Sequence, residues 1–342
     1  MSKPLSESPG GSHPGSTESV SPLAVAAPVL SMSPVVLSAP GREHELQLRV
    51  SAPRVGYQLP VIIFSHGFGS SMDGYVPLVN FWAGHGFVVI QPTFLDSRRL
   101  SASPEVTHGE AVKAYLNDPR KLSMWKYRVE DVKRVLDQLD FIEESVPTLK
   151  GRLDRDRIVA AGHSFGAQTT AMLLGARVIS PDENVLENFY DPRIKAGVLL
   201  SAAGRGGDAL SAFAIEHFPH LNESYAGMVT PTLVVAGDQD KSPLTILGPE
   251  WFTDAYTLSP GAESLLTLRG GEHMLGGISG YLVTETTDEN PRRVAVVQQL
   301  TTAYLRTALY AGDESWPVAC ATLMASSDGL GRIESKQSNP YR

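Results

Sequence analysis

The chain has 342 residues, of which 42% are hydrophobic and 19% charged, and its formal charge at pH 7 is −8. A chain of this length can bury a large core, and its composition is ordinary for a soluble globular protein. The acidic balance and the lack of a long basic run argue against nucleic acid or an anionic membrane as a partner. No apolar stretch approaches the ~20 residues that span a bilayer, so no membrane insertion is expected.

The N-terminal segment is dominated by Ser, Pro and Gly to about residue 24, which predicts a disordered leader that we place at residues 1–32. The apolar run 23–30 contains Pro28, and no basic cluster beyond Lys3 precedes it, so it makes a poor secretory signal. Cys320 is the only cysteine, which excludes an intramolecular disulfide. We therefore expect a cytoplasmic protein.

The predicted strands start with a hairpin, residues 35–37 and 46–50, on either side of Pro40-Gly41. Continuous apolar runs follow, as in strands that are covered on both faces. These runs are residues 61–64, 87–90, 158–161, 196–200 and 232–236, with a weaker one at 264–268.

Helical patterns lie between the strands. Apolar residues step by three or four along residues 124–143 and again along 293–309, which predicts a helix over each range. Strands that alternate with helices predict an α/β fold, with a mostly parallel central sheet and helices on both faces.

Two segments, residues 95–123 and 202–229, do not fit this alternation. Each follows the C-terminal end of a strand, which is the ligand-binding edge of such a sheet, so we expect a short irregular lid or pocket walls there. The alternative is a plain surface loop. Residues 33–311 form the predicted catalytic domain, and residues 312–342 are expected to be a docked C-terminal extension with a frayed end.

The most informative motif is Gly162-His163-Ser164-Phe165-Gly166, between a predicted strand and a helix over 167–174. In a nucleophile elbow, a sharp turn holds serine in a strained conformation above the sheet edge. The positions two before and two after the serine must then be very small, and both are glycine. The alternative is a Gly-rich turn that precedes a helix.

A serine nucleophile needs a base and a group that orients the base, and in this architecture the acid precedes the histidine in the chain. Asp238 and Asp240 both follow the strand 232–236. We favour Asp240, because the turn that starts at Gly237 should carry the chain away from the strand end before it presents a carboxylate to the base. We expect the Asp238 side chain to bond to nearby backbone within that turn.

The predicted base is His273, in a Gly-rich loop after the last strand, and the alternative is a surface histidine. His163 should point away from Ser164. The remaining histidines considered, His85, His108, His217 and His220, are expected to be surface, lid or pocket residues.

An oxyanion hole requires two backbone N–H groups. One should come from Phe165, directly after the serine, and the other from Phe68, in the loop 65–71. That loop lacks the Gly-Lys-Ser/Thr ending of a phosphate-binding loop. The chain has no His-Glu-x-x-His motif and no paired cysteines, so neither a metal nor a cofactor is expected.

Residues 60–69 and 153–166, together with Gly86-Phe87-Val88-Val89, resemble the α/β-hydrolase superfamily. Within it, the chain resembles the dienelactone-hydrolase-like esterases and the platelet-activating-factor acetylhydrolase/chlorophyllase-type branch, from about residue 33 to 310. The resemblance implies a triad of Ser164, Asp240 and His273, with the amides of Phe68 and Phe165 as oxyanion donors. Ala167 stands where many relatives carry glycine, but alanine suits the start of a helix.

These features predict a serine esterase that cleaves small-molecule carboxylic esters or lactones through an acyl-enzyme on Ser164. The pocket should be largely apolar. Its candidate lining residues are Phe68, Phe165, Trp125, Tyr127 and Phe218. Two alternatives remain open: an acyltransferase or cyclase that uses the same triad with an acceptor other than water, and a non-catalytic small-molecule receptor.

Overall fold

The computed structural model describes Leu23 and residues 25–101, 106–179, 186–280, 283 and 285–336. Most of the predicted leader lies outside these ranges. The first strand starts at Val29, so residues 29–32 of the predicted leader are part of it. These residues belong to the sheet because their backbone pairs with the next strand, with Val29 opposite Pro53.

Within the described residues, nine strands form one sheet in the order β1-β2-β4-β3-β5-β8-β10-β11-β12, and three short strands form a second sheet, β7-β6-β9. Neighbours from β4 to β11 pair in parallel, and the pairs β1–β2, β2–β4 and β11–β12 are antiparallel. The strands are β1 Val29–Leu37, β2 Leu46–Pro53, β3 Leu59–Ser65, β4 Val88–Pro92, β5 Leu153–His163, β6 Arg177–Ile179, β7 Leu186–Asn188, β8 Ile194–Leu200, β9 Glu223–Ser224, β10 Thr232–Gly237, β11 Ala262–Leu268 and β12 Gly331–Ser335.

Helices cover both faces of the large sheet. Buried residues of α3, α4 and α5 pack on one face, and those of α1, α8 and α9 pack on the other. The predicted α/β fold with a mostly parallel sheet is therefore confirmed. The helices are α1 Val76–Gly84, α2 His108–Asn117, α3 Met124–Asp137, α4 Leu139–Ser145, α5 Phe165–Leu174, α6 Ala212–His217, α7 Asp254–Leu258, α8 Pro291–Leu309 and α9 Ser315–Ala325.

Two helix predictions differ from the structure in their bounds. The helix predicted over residues 124–143 is interrupted at Gln138, whose φ of −114° and ψ of 23° lie outside the helical region. The apolar periodicity stays in phase across this break and therefore does not reveal it. The predicted helix 293–309 begins earlier, at Pro291, because the Asn290 side chain caps it and proline suits the first helical position.

The predicted lid and extension contain regular structure. The segment 95–123 includes α2, which begins with a capping box between Thr107 and Glu110. The segment 202–229 includes α6 and β9. After residue 311, α9 packs on α8 and β12 forms the edge of the large sheet beside β11.

Parallel strands place their C-terminal ends at one edge of the sheet. β3, β5, β10 and β11 end there, and they lead into residues 65–69, 162–166, 237–240 and 269–277. Ser65 is paired with Gly162, and Gly237 with Leu268. Four segments that are distant in the sequence therefore meet at this edge.

Candidate active site

Ser164 lies in the sharp turn between β5 and α5. Its φ of 55° and ψ of −120° are strained for a residue with a side chain. The turn also leaves no room for a side chain at either of the two glycines that flank Ser164. A Cβ atom on Gly162 would lie 2.1 Å from the Gly166 carbonyl oxygen, and one on Gly166 would lie 2.0 Å from that of Ser65.

The structure brings Ser164, His273 and Asp240 together. His273 Nε2 lies 2.9 Å from Ser164 Oγ, and His273 Nδ1 lies 3.1 Å and 3.2 Å from the two carboxylate oxygens of Asp240. Asp240 is fully buried, whereas the His273 side chain is about one-third exposed. A carboxylate only accepts, so Nδ1 carries the proton and Nε2 is free to accept one from the serine.

Asp238 has a different environment. Its Oδ1 accepts a hydrogen bond of 2.7 Å from the Gly270 N–H, which is the backbone contact that the sequence predicts. The two loops pack closely here, because a Cβ atom on Gly237 would lie 2.1 Å from the Gly271 carbonyl oxygen. Of the two aspartates, Asp240 is the one that contacts His273.

Phe68 and Phe165, whose amides are the predicted oxyanion donors, line one cavity together with Ser164 and His273. Among the residues that the structure describes, neither N–H has a hydrogen-bond acceptor. The neighbouring amides are occupied: Gly67 N–H donates to the Tyr75 hydroxyl at 3.1 Å, and Gly69 N–H donates to Asp96 at 3.2 Å. The loop is therefore anchored on both sides of the Phe68 amide.

A buried ion pair, which the sequence analysis missed, holds this loop. Arg128 on α3 contacts both carboxylate oxygens of Asp96, at 2.8 Å and 2.9 Å, and donates to the His66 carbonyl at 2.9 Å. Its guanidinium carbon lies 4.4 Å from the ring centre of Phe94 and 4.2 Å from that of Phe165. Burial alone would raise the pKa of Asp96, but the charge and hydrogen bonds of Arg128 hold it below its ordinary value.

The sequence did contain a signal for this pair. Arg128 lies three residues after Trp125 and four before Val132, on the apolar stripe of the predicted helix. A charged residue on a core-facing stripe indicates a buried partner. The partner, Asp96, comes from a segment that was interpreted as a lid.

His66 adds further bonds to the same loop. Its Nε2 accepts from the Phe94 N–H at 3.2 Å, so its Nδ1 carries the proton and donates to the Gly67 carbonyl at 2.7 Å. Burial and the nearby Arg128 charge lower the pKa of His66 to about 3, which keeps this ring neutral. His66 thus acts as a neutral link between this loop and the segment that follows β4.

The family comparison agrees with this geometry. The model of the alpha/beta hydrolase family matches residues 62–327. The chain belongs to this family. The predicted resemblance is thereby confirmed, and the hydrolase also matches proteins from the acetylhydrolase branch that the sequence indicated.

Two such relatives are platelet-activating factor acetylhydrolases. That of Bos taurus is 24% identical over 264 residues, which cover 68% of this hydrolase and 52% of the relative. That of Cavia porcellus is 28% identical over 143 residues, which cover 35% of this hydrolase and 33% of the relative. The matched regions thus span about half of one relative and a third of the other.

A cavity of about 620 Å³ opens beside Ser164 in this hydrolase. Both segments that did not fit the strand–helix alternation contribute to its wall. Further lining residues that the sequence analysis did not single out include Leu244, Trp251, Phe252, Glu285 and Thr287. The wall is largely apolar and rich in aromatic residues. Its aromatic residues are Phe68, Tyr115, Phe165, Phe213, Phe218, Trp251 and Phe252, together with His108, His220 and His273.

Two residues proposed as lining do not reach this cavity. Trp125 is buried in the core, where its ring packs edge-on against Phe189 and lies parallel to that of His220. Tyr127, on the same helix, is also absent from the wall. The other three proposed residues, Phe68, Phe165 and Phe218, do line it.

The described part of the chain contains neither a candidate membrane span nor a candidate metal cluster. No helix there is both long enough and apolar enough to cross a bilayer. In the same ranges, no group of three or more His, Cys, Asp or Glu side chains is placed to hold a metal ion.

Proposed function

We propose that this hydrolase is a serine esterase that cleaves carboxylic esters or lactones through an acyl-enzyme on Ser164. The observation that carries the proposal is the 2.9 Å contact between Ser164 Oγ and His273 Nε2, with the other ring nitrogen against the buried Asp240 carboxylate. This arrangement supplies a nucleophile, a base and a group that orients the base.

In the first half of the reaction, Ser164 Oγ attacks the acyl carbon while His273 Nε2 takes the hydroxyl proton. Asp240 stabilises the resulting imidazolium. The tetrahedral intermediate collapses when its bond to the alcohol oxygen breaks, and His273 gives its proton to that oxygen. The alcohol leaves, or stays attached to the acyl group when the substrate is a lactone.

In the second half, His273 removes a proton from water, and the resulting hydroxide attacks the acyl-enzyme. The bond to Ser164 Oγ then breaks, and His273 returns the proton to the serine. The free N–H groups of Phe68 and Phe165 are our candidates for binding the oxyanion in both halves. The loss of one such donor typically costs ~3 kcal/mol of transition-state stabilisation.

The cavity supports uncharged, medium or bulky esters, because its wall is largely apolar. The names of the two relatives describe acetylhydrolases, which agrees with transfer of an acyl group to water. Membership of the hydrolase family also favours this reaction over the receptor hypothesis.

The decisive variant is Ser164→Ala. We expect it to abolish hydrolysis of a series of chromogenic esters of graded acyl length, and to abolish labelling by a fluorophosphonate, with the melting temperature preserved. Ser38→Ala makes the same change at an exposed serine and should behave as the wild type in every assay. Activity in the Ser164 variant, or wild-type protein that neither turns over esters nor takes the label, would end the proposal.

A further inference from the structure

Two buried side chains, Tyr75 and His163, join the loop of residues 65–69 to the loop that carries His273. The Tyr75 hydroxyl lies 3.1 Å from the Gly67 nitrogen and 2.7 Å from His163 Nδ1. His163 Nε2 lies 2.7 Å from the carbonyl oxygen of His273. Tyr75 is 2% exposed and His163 1%, so water does not compete for these bonds.

The direction of each bond follows from the groups involved. The His273 carbonyl only accepts, so His163 Nε2 carries a proton and donates it. In a neutral ring Nδ1 then accepts, which makes the Tyr75 hydroxyl its donor. The phenol oxygen in turn accepts from the Gly67 N–H. The chain of bonds therefore runs in one direction, and every polar atom of both side chains is used.

The charge states fit this direction. Burial, and then the proximity of His273, lower the pKa of His163 to about 3, which keeps the ring neutral. Burial also raises the pKa of the Tyr75 phenol well above its ordinary value, so its proton stays in place.

Both ends of this chain of hydrogen bonds lie next to groups that the proposed reaction uses. Gly67 directly precedes Phe68, and the carbonyl at the other end belongs to His273 itself. The fit at Gly67 is close: a Cβ atom there would lie 2.9 Å from the Tyr75 hydroxyl oxygen and 3.2 Å from His163 Nδ1.

The backbone of Tyr75 also helps to fix its position. Its φ of 63° lies in the left-handed region, which is unfavourable for a residue with a side chain. Its N–H donates to the Ser279 carbonyl at 2.9 Å, a few residues beyond His273. The tyrosine is therefore bonded to both loops through its hydroxyl and its backbone.

We propose that Tyr75 and His163 are positioning residues that set the oxyanion donor at residue 68 relative to the base at residue 273. Neither side chain bonds to Ser164, and neither takes a proton during the reaction. The inference rests on the proposed esterase function, since it assigns the bridge a task in that reaction.

The test is Tyr75→Phe, which removes one oxygen and leaves the Gly67 N–H and His163 Nδ1 without their partner. A small displacement of catalytic groups can cost up to ~100-fold in rate. We expect kcat per titrated active site to fall ~10- to 100-fold, while KM stays within about twofold. The inhibition constant of a trifluoromethyl ketone, which forms an oxyanion on the serine, should rise by the same factor as kcat/KM falls.

Tyr304→Phe is the matched control. Tyr304 is a buried tyrosine on α8 whose ring packs against Trp316. It should keep kcat and the inhibition constant of the ketone, even where it lowers the melting temperature. This separates positioning from a general loss of stability.

His163→Phe should give the same kinetic signature. Because both residues act through one chain of bonds, the addition of Tyr75→Phe to that variant should cost less than about threefold more. If His163→Phe does not fold, the kcat and ketone results for Tyr75→Phe decide alone.

Three outcomes overturn the proposal: an unchanged kcat in Tyr75→Phe, a kcat loss without the matching weakening of the ketone, and losses that multiply fully in the double variant. A failure of the esterase function is distinguishable from all three. In that case the wild-type protein itself would neither hydrolyse esters nor bind the ketone.

Discussion

Two regions of the site are built in different ways. The catalytic edge, which we define as residues 65–69, 162–166, 237–240 and 270–277, is held by directed hydrogen bonds and a buried ion pair. The pocket wall, defined as residues 106–123 and 202–229, places several aromatic rings in contact with one another beside the cavity. Tyr115 and Phe218, for example, stack with their centres 5.6 Å apart.

Polar atoms behave differently in the two regions. Along the catalytic edge, Arg128 and His66 bond to two backbone groups each, and Asp96 accepts from one. At or beside the pocket wall, buried polar atoms without a partner among the described residues include His220 Nδ1 and Glu223 Oε1. Hydrogen bonds fix positions closely, whereas apolar packing tolerates changes of similar volume. The reaction and the choice of substrate should therefore respond to different substitutions.

The largest expected effect lies at the catalytic edge. Asp240→Asn should keep the fold but favour the wrong tautomer of His273, and kcat should fall ~10⁴-fold, as expected for a carboxylate that orients a catalytic histidine. Steady-state kinetics measure this loss. Asp238→Asn, whose amide oxygen still accepts from Gly270, should cost less than about tenfold, and the opposite order would transfer the role to Asp238.

The second effect is on stability. Arg128→Met would leave the Asp96 carboxylate buried without its partner, which typically costs ~3–5 kcal/mol. Urea unfolding should show this loss in the free energy of unfolding. Asp96→Asn in the same chain should restore part of it, because the buried charge is gone. A loss below about 1 kcal/mol for Arg128→Met would show that directed bonds do not dominate this edge.

Glu223 offers a pH test of the pocket wall. The Tyr225 hydroxyl lies 2.6 Å from Glu223 Oε2 and also contacts the Ala203 carbonyl, and its single proton cannot serve both acceptors. A protonated Glu223 resolves this, because it donates to the phenol oxygen. Burial raises the pKa of Glu223 from 4.5 to about 7, against the lowering effect of its hydrogen bonds.

A raised carboxyl pKa in the folded state means that stability is lost as the pH rises from about 4.5 to about 7. Glu223→Gln removes this titration. The free energy of unfolding of the variant, relative to that of the wild type, should therefore rise between pH 5 and pH 8. The rise should be at most about 1.4 kcal/mol per pH unit over the titrating range. Thermal unfolding at several pH values measures the difference, and a gap that does not vary with pH would contradict the prediction.

The smallest effect concerns substrate choice. Phe218→Leu trims a ring that contacts Tyr115, Phe213 and His220. The ratio of kcat/KM for bulky and short esters should shift about 5- to 10-fold, since small volume changes in an apolar pocket are worth ~1–3 kcal/mol. The kcat for the short ester should change less than about threefold. Phe141→Leu, at a half-exposed position on α4, should leave the ratio unchanged.

The sequence predicted the features that depend on neighbouring residues. Each apolar run became a strand of the large sheet, and the sharp turn at Ser164 follows from the two glycines around it. The serine, the acid and the histidine each follow the end of a predicted strand. Because parallel strands end at the same edge of a sheet, the sequence also predicted that these three residues meet there.

The missed features depend on contacts between distant segments. Arg128 and Asp96 are separated by 32 residues, and Tyr75 and His163 by 88. No local pattern records which side chains such segments bring together. Helix periodicity likewise did not reveal the break at Gln138, because the apolar stripe continues on both sides.

The edge strand β12 has a practical consequence for anyone who truncates this protein. It covers the outer side of β11 with antiparallel pairs from Gly331 to Ser335, and β11 leads directly to the loop of His273. A shortened version that stopped before residue 331 would expose unpaired strand backbone, a surface on which molecules aggregate. It would also weaken the support of β11, the strand that leads to the His273 loop. A purification tag should therefore follow residue 335 and should not replace β12.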